Sequence, residues 1–182
     1  MIATETELKG CFVLEPNVFV DERGYFFESF NQRKFNALVE SEVHFVQDNQ
    51  SFSHYGVVRA LHYQLEAYAQ AKLVRVLQGR VLDVAVDIRR ESETFGKHVA
   101  IELSAENKKQ LFVPRGFAHG FAVLSESATF FYKCDNFYNK SSEGGIVYND
   151  KELGIDWGLP QTDISVSERD RLLPEFKNAK IA

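Results

Sequence analysis

The sequence predicts an all-β protein, a sandwich or barrel with helices only as accessories. Aromatic and β-branched residues are frequent, with 16 Phe and 7 Tyr among 182 residues, and these side chains suit a pleated, half-buried surface. Apolar residues recur at every second position over short stretches, and turn-rich segments separate those stretches. Hydrophobic residues make up 45% of the chain, enough for a packed core. No linker, repeat or low-complexity run divides it, so residues 1–182 read as one domain.

In chain order, strands are expected at residues 11–14 and 25–29, then a helix at 31–40, where Asn31 can cap and Phe35, Leu38 and Val39 share a face. Residues 57–64 form the next strand candidate. Residues 73–77 and 82–88 flank Gln78-Gly79 and read as a hairpin. In the second of these, Leu82, Val84, Val86 and Ile88 alternate with Asp83, Ala85 and Asp87, the period of a half-buried strand. Further strands are expected at 97–103, 110–113, 120–124 and 129–134, with a second helix near 167–173. Such a scaffold encloses a ligand in its mouth, so a pocket is expected.

Twenty-one basic against 26 acidic residues give a net charge of −5, the wrong sign for gripping a nucleic acid through its phosphates. A small anionic ligand stays possible, because a few arginines can set the potential of one pocket. The acidic N-terminus does not read as a secretory signal, and no apolar run approaches membrane-spanning length, so no membrane partner is expected and the location reads as cytoplasmic. Cys11 and Cys134 are isolated and read as buried small hydrophobes, with neither a disulfide nor a thiolate metal site.

Several polar residues sit where strands should bury them. Strand alternation puts Ala60, His62 and Gln64 on one face and Leu61 and Tyr63 on the other. His62 suits a general base, and equally a satisfied core histidine. Lys72 shares parity with Val74 and Val76, which points it inward as a partner for developing negative charge, unless it is a solvated strand end. His119 follows the Pro114 and Gly116 turn and is expected just before a strand, at the mouth. Tyr132 lies in an aromatic strand, where core packing is the plain reading. Asp170, three residues after Ser167, reads as part of a capping box or as an acceptor that orients a histidine. Arg23 and Arg59 are surface charges or a phosphate clamp.

Taken in order, these segments resemble the dTDP-4-dehydrorhamnose 3,5-epimerase family. The likeness rests on Asp21-Glu22-Arg23-Gly24-Tyr25-Phe26-Phe27-Glu28, Phe45-Val46-Gln47-Asp48-Asn49, Val58-Arg59-Ala60-Leu61-His62-Tyr63-Gln64 and Lys72-Leu73-Val74-Arg75-Val76. It continues through Asp83-Val84-Ala85-Val86-Asp87, Gly116-Phe117-Ala118-His119-Gly120-Phe121, Tyr132-Lys133 and Leu153-Gly154-Ile155-Asp156-Trp157, and so spans nearly the whole chain. It implies a cupin-like jelly-roll β-barrel with a few short peripheral helices. The implied activity is cofactor-independent epimerisation at C3 and C5 of dTDP-4-dehydro-6-deoxy-D-glucose, giving dTDP-4-dehydro-L-rhamnose for dTDP-L-rhamnose biosynthesis, with no cofactor and no metal.

By the same resemblance His62 is the base, Asp170 its orienting acid, Lys72 the lysine beside the ketone and Tyr132 the proton donor. The dTDP-sugar site would draw Arg23, Phe26 and Glu28 from an arm exchanged in a homodimer, with Gln47, Asp48, Asn49, Arg59, His119, Glu143 and Arg169, and Tyr138 stacking on the base. The chain departs from the family where Ala60 replaces a usual glycine, Phe137 a usual tyrosine and Arg169 a more common lysine. Three rivals remain: a mono-epimerase or 3,4-ketoisomerase on a related sugar, a metal-dependent cupin enzyme, and a binding module without catalysis. The metal reading is weakened by His62-Tyr63-Gln64, which lacks the second histidine of a His-x-His ligand pair.

Overall fold

A computed structural model describes residues 1–181. In these residues the strands are β1 (Ile2–Glu5), β2 (Phe12–Glu15), β3 (Phe19–Asp21), β4 (Gly24–Phe26), β5 (Gln47–His54), β6 (Val58–Gln64), β7 (Lys72–Gln78), β8 (Arg80–Asp87), β9 (His98–Ser104), β10 (Gln110–Val113), β11 (Phe117–Val123), β12 (Ser127–Cys134) and β13 (Glu143–Gly145). The α-helices are α1 (Gln32–Val39) and α2 (Glu168–Arg171). Six strands form one antiparallel sheet in the order β1-β2-β10-β7-β12-β5, five form a second in the order β13-β6-β11-β8-β9, and β3 and β4 make a separate ribbon. The two sheets face each other in a jelly-roll sandwich that keeps free edges and does not close into the expected barrel.

Alternation explains the filling. Val74 and Val76 of β7, Val81 and Ala85 of β8, Leu103 of β9, Leu111 of β10 and Phe130 of β12 all point between the sheets, in one buried cluster. The other face of the five-stranded sheet is covered by the chain's own C-terminal segment. There Val84, Val86, Val58 and Leu61 pack against Ile146, Trp157, Val166 and Phe176. Both faces of β8 are therefore buried, and Asp83 and Asp87 are 0% exposed instead of lying on a solvated face.

The outer face of the six-stranded sheet is covered at one end by α1. Its N-cap Asn31 accepts from the Lys34 amide at 3.1 Å, and its end is marked by Glu40 in the left-handed region (φ 50°). Phe35 packs edge-on against Phe112 at 5.1 Å, within a cluster that includes Leu14, Val39 and Leu73. Truncating a ring buried this fully costs about 3–5 kcal/mol.

Two local readings change. The segment around Gln78-Gly79 is no hairpin, because β7 and β8 belong to different sheets. Gly79 has φ +78°, and a Cβ there would lie 2.0 Å from the Ser127 carbonyl oxygen, so it makes the corner that carries the chain across the sandwich. In β6 a bulge separates the pairs His62↔His119 and Arg59↔Phe121, so that Ala60 and Leu61 together oppose Gly120. Ala60 consequently packs with Leu61 in the outer cluster, opposite to the parity expected. Gly120 has no room for a side chain, since its Cβ would sit 2.6 Å from that of Ala60.

Candidate active site

Between the sheets, on the side of β5, β6 and β13, lies a cavity of about 780 Å³. The β6 bulge lets Arg59 and His62, three residues apart, both face it. His62 Nε2 lies 2.9 Å from Asp170 Oδ1, joining residues 108 positions apart in the chain. Ser167 caps α2 by accepting from the Asp170 amide at 3.1 Å. In a full capping box the acid's side chain would return to the cap residue's amide. Here the carboxylate turns to the histidine instead. Burial pushes the Asp170 carboxyl up, but hydrogen bonds from His62, Ala60 N–H and Ser167 and the charge of His62 outweigh it and hold it below the usual carboxylate range. An ionised carboxylate only accepts, so Nε2 is the protonated nitrogen and Nδ1 carries the lone pair of the neutral ring.

Lys72 and Tyr132 face the cavity from the opposite sheet, with the ammonium 5.9 Å from the phenol ring centre. Burial lowers the Lys72 pKa, partly countered by the charges of Cys134, Asp83 and Glu143. Burial raises that of Tyr132, which keeps the phenol protonated. His119 departs from expectation: it lies inside β11, directly across from His62, and is buried. Its Nε2 is 3.0 Å from each oxygen of Asp83.

At the rim, Tyr138 donates its hydroxyl hydrogen to Glu143 at 2.9 Å, and the Arg169 guanidinium pairs with the same carboxylate. Burial pushes Glu143 up, but these two partners more than offset it and leave its pKa low. Gln47 donates to Asn49 at 3.1 Å, and Arg59 Nε donates to Ser53 Oγ at 3.1 Å. The centre of the cavity thus holds an imidazole, an ammonium and a phenol, and its rim two guanidinium groups and a half-exposed aromatic ring. That combination can take a proton from carbon, stabilise an oxyanion and bind a nucleoside diphosphate.

The family model described as dTDP-4-dehydrorhamnose 3,5-epimerase matches residues 5–178. A protein of that name from Shigella flexneri is 55% identical over 170 residues, covering 93% of each chain. The crystal structure of the Elizabethkingia anophelis protein of that name superimposes with a TM-score of 0.94 at 60% identity, over 97% of this chain and 96% of that one. The chain belongs to the dTDP-4-dehydrorhamnose 3,5-epimerase family. The Legionella pneumophila dTDP-6-deoxy-D-glucose-3,5-epimerase, 45% identical with a TM-score of 0.92 and covering 97% of this chain and 93% of that one, was solved in complex with dTDP-4-keto-L-rhamnose.

Not every residue expected at the site of this epimerase-family chain reaches the cavity. Asp48 points out from β5, 54% exposed at its side chain, and pairs with Lys133 at 2.9 Å. On the β3–β4 ribbon Arg23 is held by Asp21 at 2.5 Å, and Phe26 is 72% exposed. Glu28 pairs with Lys34 at 2.8 Å. Ala60 fits without strain because its φ is not positive, and Arg169 keeps a cation beside Glu143. Among the described residues no three His, Cys, Asp or Glu side chains are grouped to hold a metal ion, and no helix is long and apolar enough to cross a membrane. The sequence reading missed Asp83. Only its place on the same strand face as Val81 and Ala85 could have marked it.

Proposed function

We propose that this chain inverts C3 and C5 of dTDP-4-dehydro-6-deoxy-D-glucose, giving dTDP-4-dehydro-L-rhamnose in dTDP-L-rhamnose biosynthesis. The observation that carries the reading is the His62–Asp170 pair at 2.9 Å, open to the cavity that also takes Lys72 and Tyr132. His62 Nδ1 removes the proton on a carbon next to the C4 ketone. The C–H electron pair becomes the C=C bond of an enolate, and the carbonyl π pair moves to the C4 oxygen. Lys72 donates a hydrogen bond to that oxygen, where low dielectric strengthens the interaction. Tyr132 returns a proton to the opposite face, the carbonyl re-forms, and the stereocentre is inverted. Oxidation state does not change at any step, so the scheme calls for no redox cofactor, and Lys72 fills the charge-stabilising role that a metal ion could otherwise play.

Arg59, Arg169, His119, Gln47, Asn49 and Glu143 would hold the dTDP portion, with Tyr138 against the base. Arg23, Phe26 and Glu28 would complete this site from a second copy. The exposure of Phe19, Val20, Tyr25 and Phe26, between 61% and 78%, supports an arm of a single-domain protomer exchanged in a homodimer. A charged diphosphate does not cross a bilayer unaided, which favours a cytoplasmic enzyme.

The test is incubation with dTDP-4-dehydro-6-deoxy-D-glucose in deuterated water, followed by NMR of the sugar. Deuterium at both C3 and C5 is the expected result. Label at one carbon alone would make the chain a mono-epimerase, a moved carbonyl would make it a ketoisomerase, and binding without exchange would leave a recognition module.

A further inference from the structure

The cavity contains a second histidine–carboxylate pair beside the first. His119 and His62 are directly opposed on β11 and β6, and each presents Nε2 to its own aspartate. The two aspartates differ in origin: Asp170 comes from α2, whereas Asp83 projects from β8 at the floor, with 0% exposure. Among the described residues, the Asp83 side chain has hydrogen bonds to His119 alone, at 3.0 Å from each oxygen. Its neighbours on the same face are Val81 and Ala85. Packing alone would favour an apolar residue at Asp83, because an isolated carboxylate is costly to desolvate. The His119 ring is further fixed by Phe130, stacked at 6.1 Å and 27°.

We propose that Asp83 is a positioning residue: it holds His119 with Nε2 protonated, leaving Nδ1 free to engage the substrate. Of the acids near the cavity, Asp170 is committed to His62, and Glu143 to Arg169 and Tyr138, which leaves Asp83 to His119. A histidine oriented by a buried carboxylate is a familiar way to fix which ring nitrogen meets the substrate.

This inference rests on the epimerase reading, and the experiment separates the two. Protein carrying 15N-labelled histidine, with His119 signals assigned against a His119→Gln variant, should show His119 Nε2 protonated in the wild type. A bare Nε2 would overturn the proposal, and this measurement stands even if no Asp83 variant folds. In a folded Asp83→Asn variant, kcat should fall about tenfold or more, with KM changed less than about threefold. Its His119 ring-nitrogen signals should shift from those of the wild type, since the amide no longer offers the two carboxylate oxygens that face Nε2. A folded variant with wild-type kcat, or one with reduced kcat but unchanged His119 signals, would reduce Asp83 to a packing role. An inactive wild type would instead sink the epimerase reading and leave the His119 measurement intact.

Discussion

The two flanks of the sandwich use one strand alternation for opposite ends. On the closed flank β9 faces β7 and β10, and the inward positions are Val76, Val81, Val99, Leu103 and Leu111, all buried. On the open flank the inward positions of β5 and β6 are Gln47, Asn49, Ser51, Arg59, His62 and Gln64, and they line the cavity. Polar groups facing inward are tolerated only with partners. Several have them: His62 has Asp170, Gln47 has Asn49 and Arg59 has Ser53. The closed flank therefore supplies cohesion and the open flank supplies reactivity, and damage to one should spare the other.

The sharpest test of that division is His62→Ala. Loss of a general base should lower the rate of deuterium entry at C3 and C5 by about 10²–10⁴-fold. Because the His62 side chain is 33% exposed and sits at a cavity wall, the thermal midpoint should move by only a few degrees. The mirror experiment is Leu111→Ala on β10, at a residue with no exposed surface. It should cost about 2–5 kcal/mol in urea unfolding, while kcat of the folded protein stays within about threefold of wild type. A collapsed fold in the first variant, or a lost rate without lost stability in the second, would break the comparison.

The same contrast explains what could be read from sequence. Apolar alternation revealed the closed flank: β7, β9, β10 and β12 were all anticipated, and so was the inward parity of Lys72. Strand β5, Gln-Asp-Asn-Gln-Ser-Phe-Ser-His from Gln47 to His54, escaped notice because its buried face is polar, leaving no hydrophobic period to detect. The bulge at Ala60 and Leu61 escaped because it depends on the neighbouring strand's Gly120, which only pairing reveals. Ser167 was legible as a cap, yet the direction of the Asp170 carboxylate was not, since its partner lies 108 residues away. Gly79 misled because a glycine corner between sheets and a hairpin turn ask for the same residue.

At a smaller scale, Asp87 at the end of β8 separates stability from chemistry by pH. Burial pushes its carboxyl up, but hydrogen bonds from Arg89, Ser92 and Thr94 bring it from 3.8 down to about 2. A depressed folded pKa contributes stability that is fully present above the unfolded value. That contribution is lost as pH falls from about 4 toward 2. Discounted for solvent screening it is on the order of 1–2 kcal/mol. Asp87→Asn should flatten the acid limb of unfolding free energy across that window and leave the pH profile of kcat near neutrality unchanged. A shifted kcat profile would show that the β8 end communicates with the cavity.

The finest division runs between two adjacent residues of β5. Asn49 points inward, accepting from Gln47 at 3.1 Å and donating toward Cys134 Sγ at 3.7 Å, whereas Asp48 points outward to Lys133 at 2.9 Å. Exposed ion pairs contribute about 0–1 kcal/mol, so Asp48→Ala should hardly change stability. Its KM for the dTDP-sugar should stay within about twofold, while Asn49→Ala should raise KM about tenfold, the worth of one well-made hydrogen bond to substrate. The outcome that matters most is the reverse. An Asp48→Ala variant with a KM raised as far as that of Asn49→Ala would mean that the outer face of β5 also reaches substrate. In one protomer that face looks away from the cavity, so a contribution from Asp48 would require a second copy to bring the two together, and the open flank would then be a property of the pair of subunits.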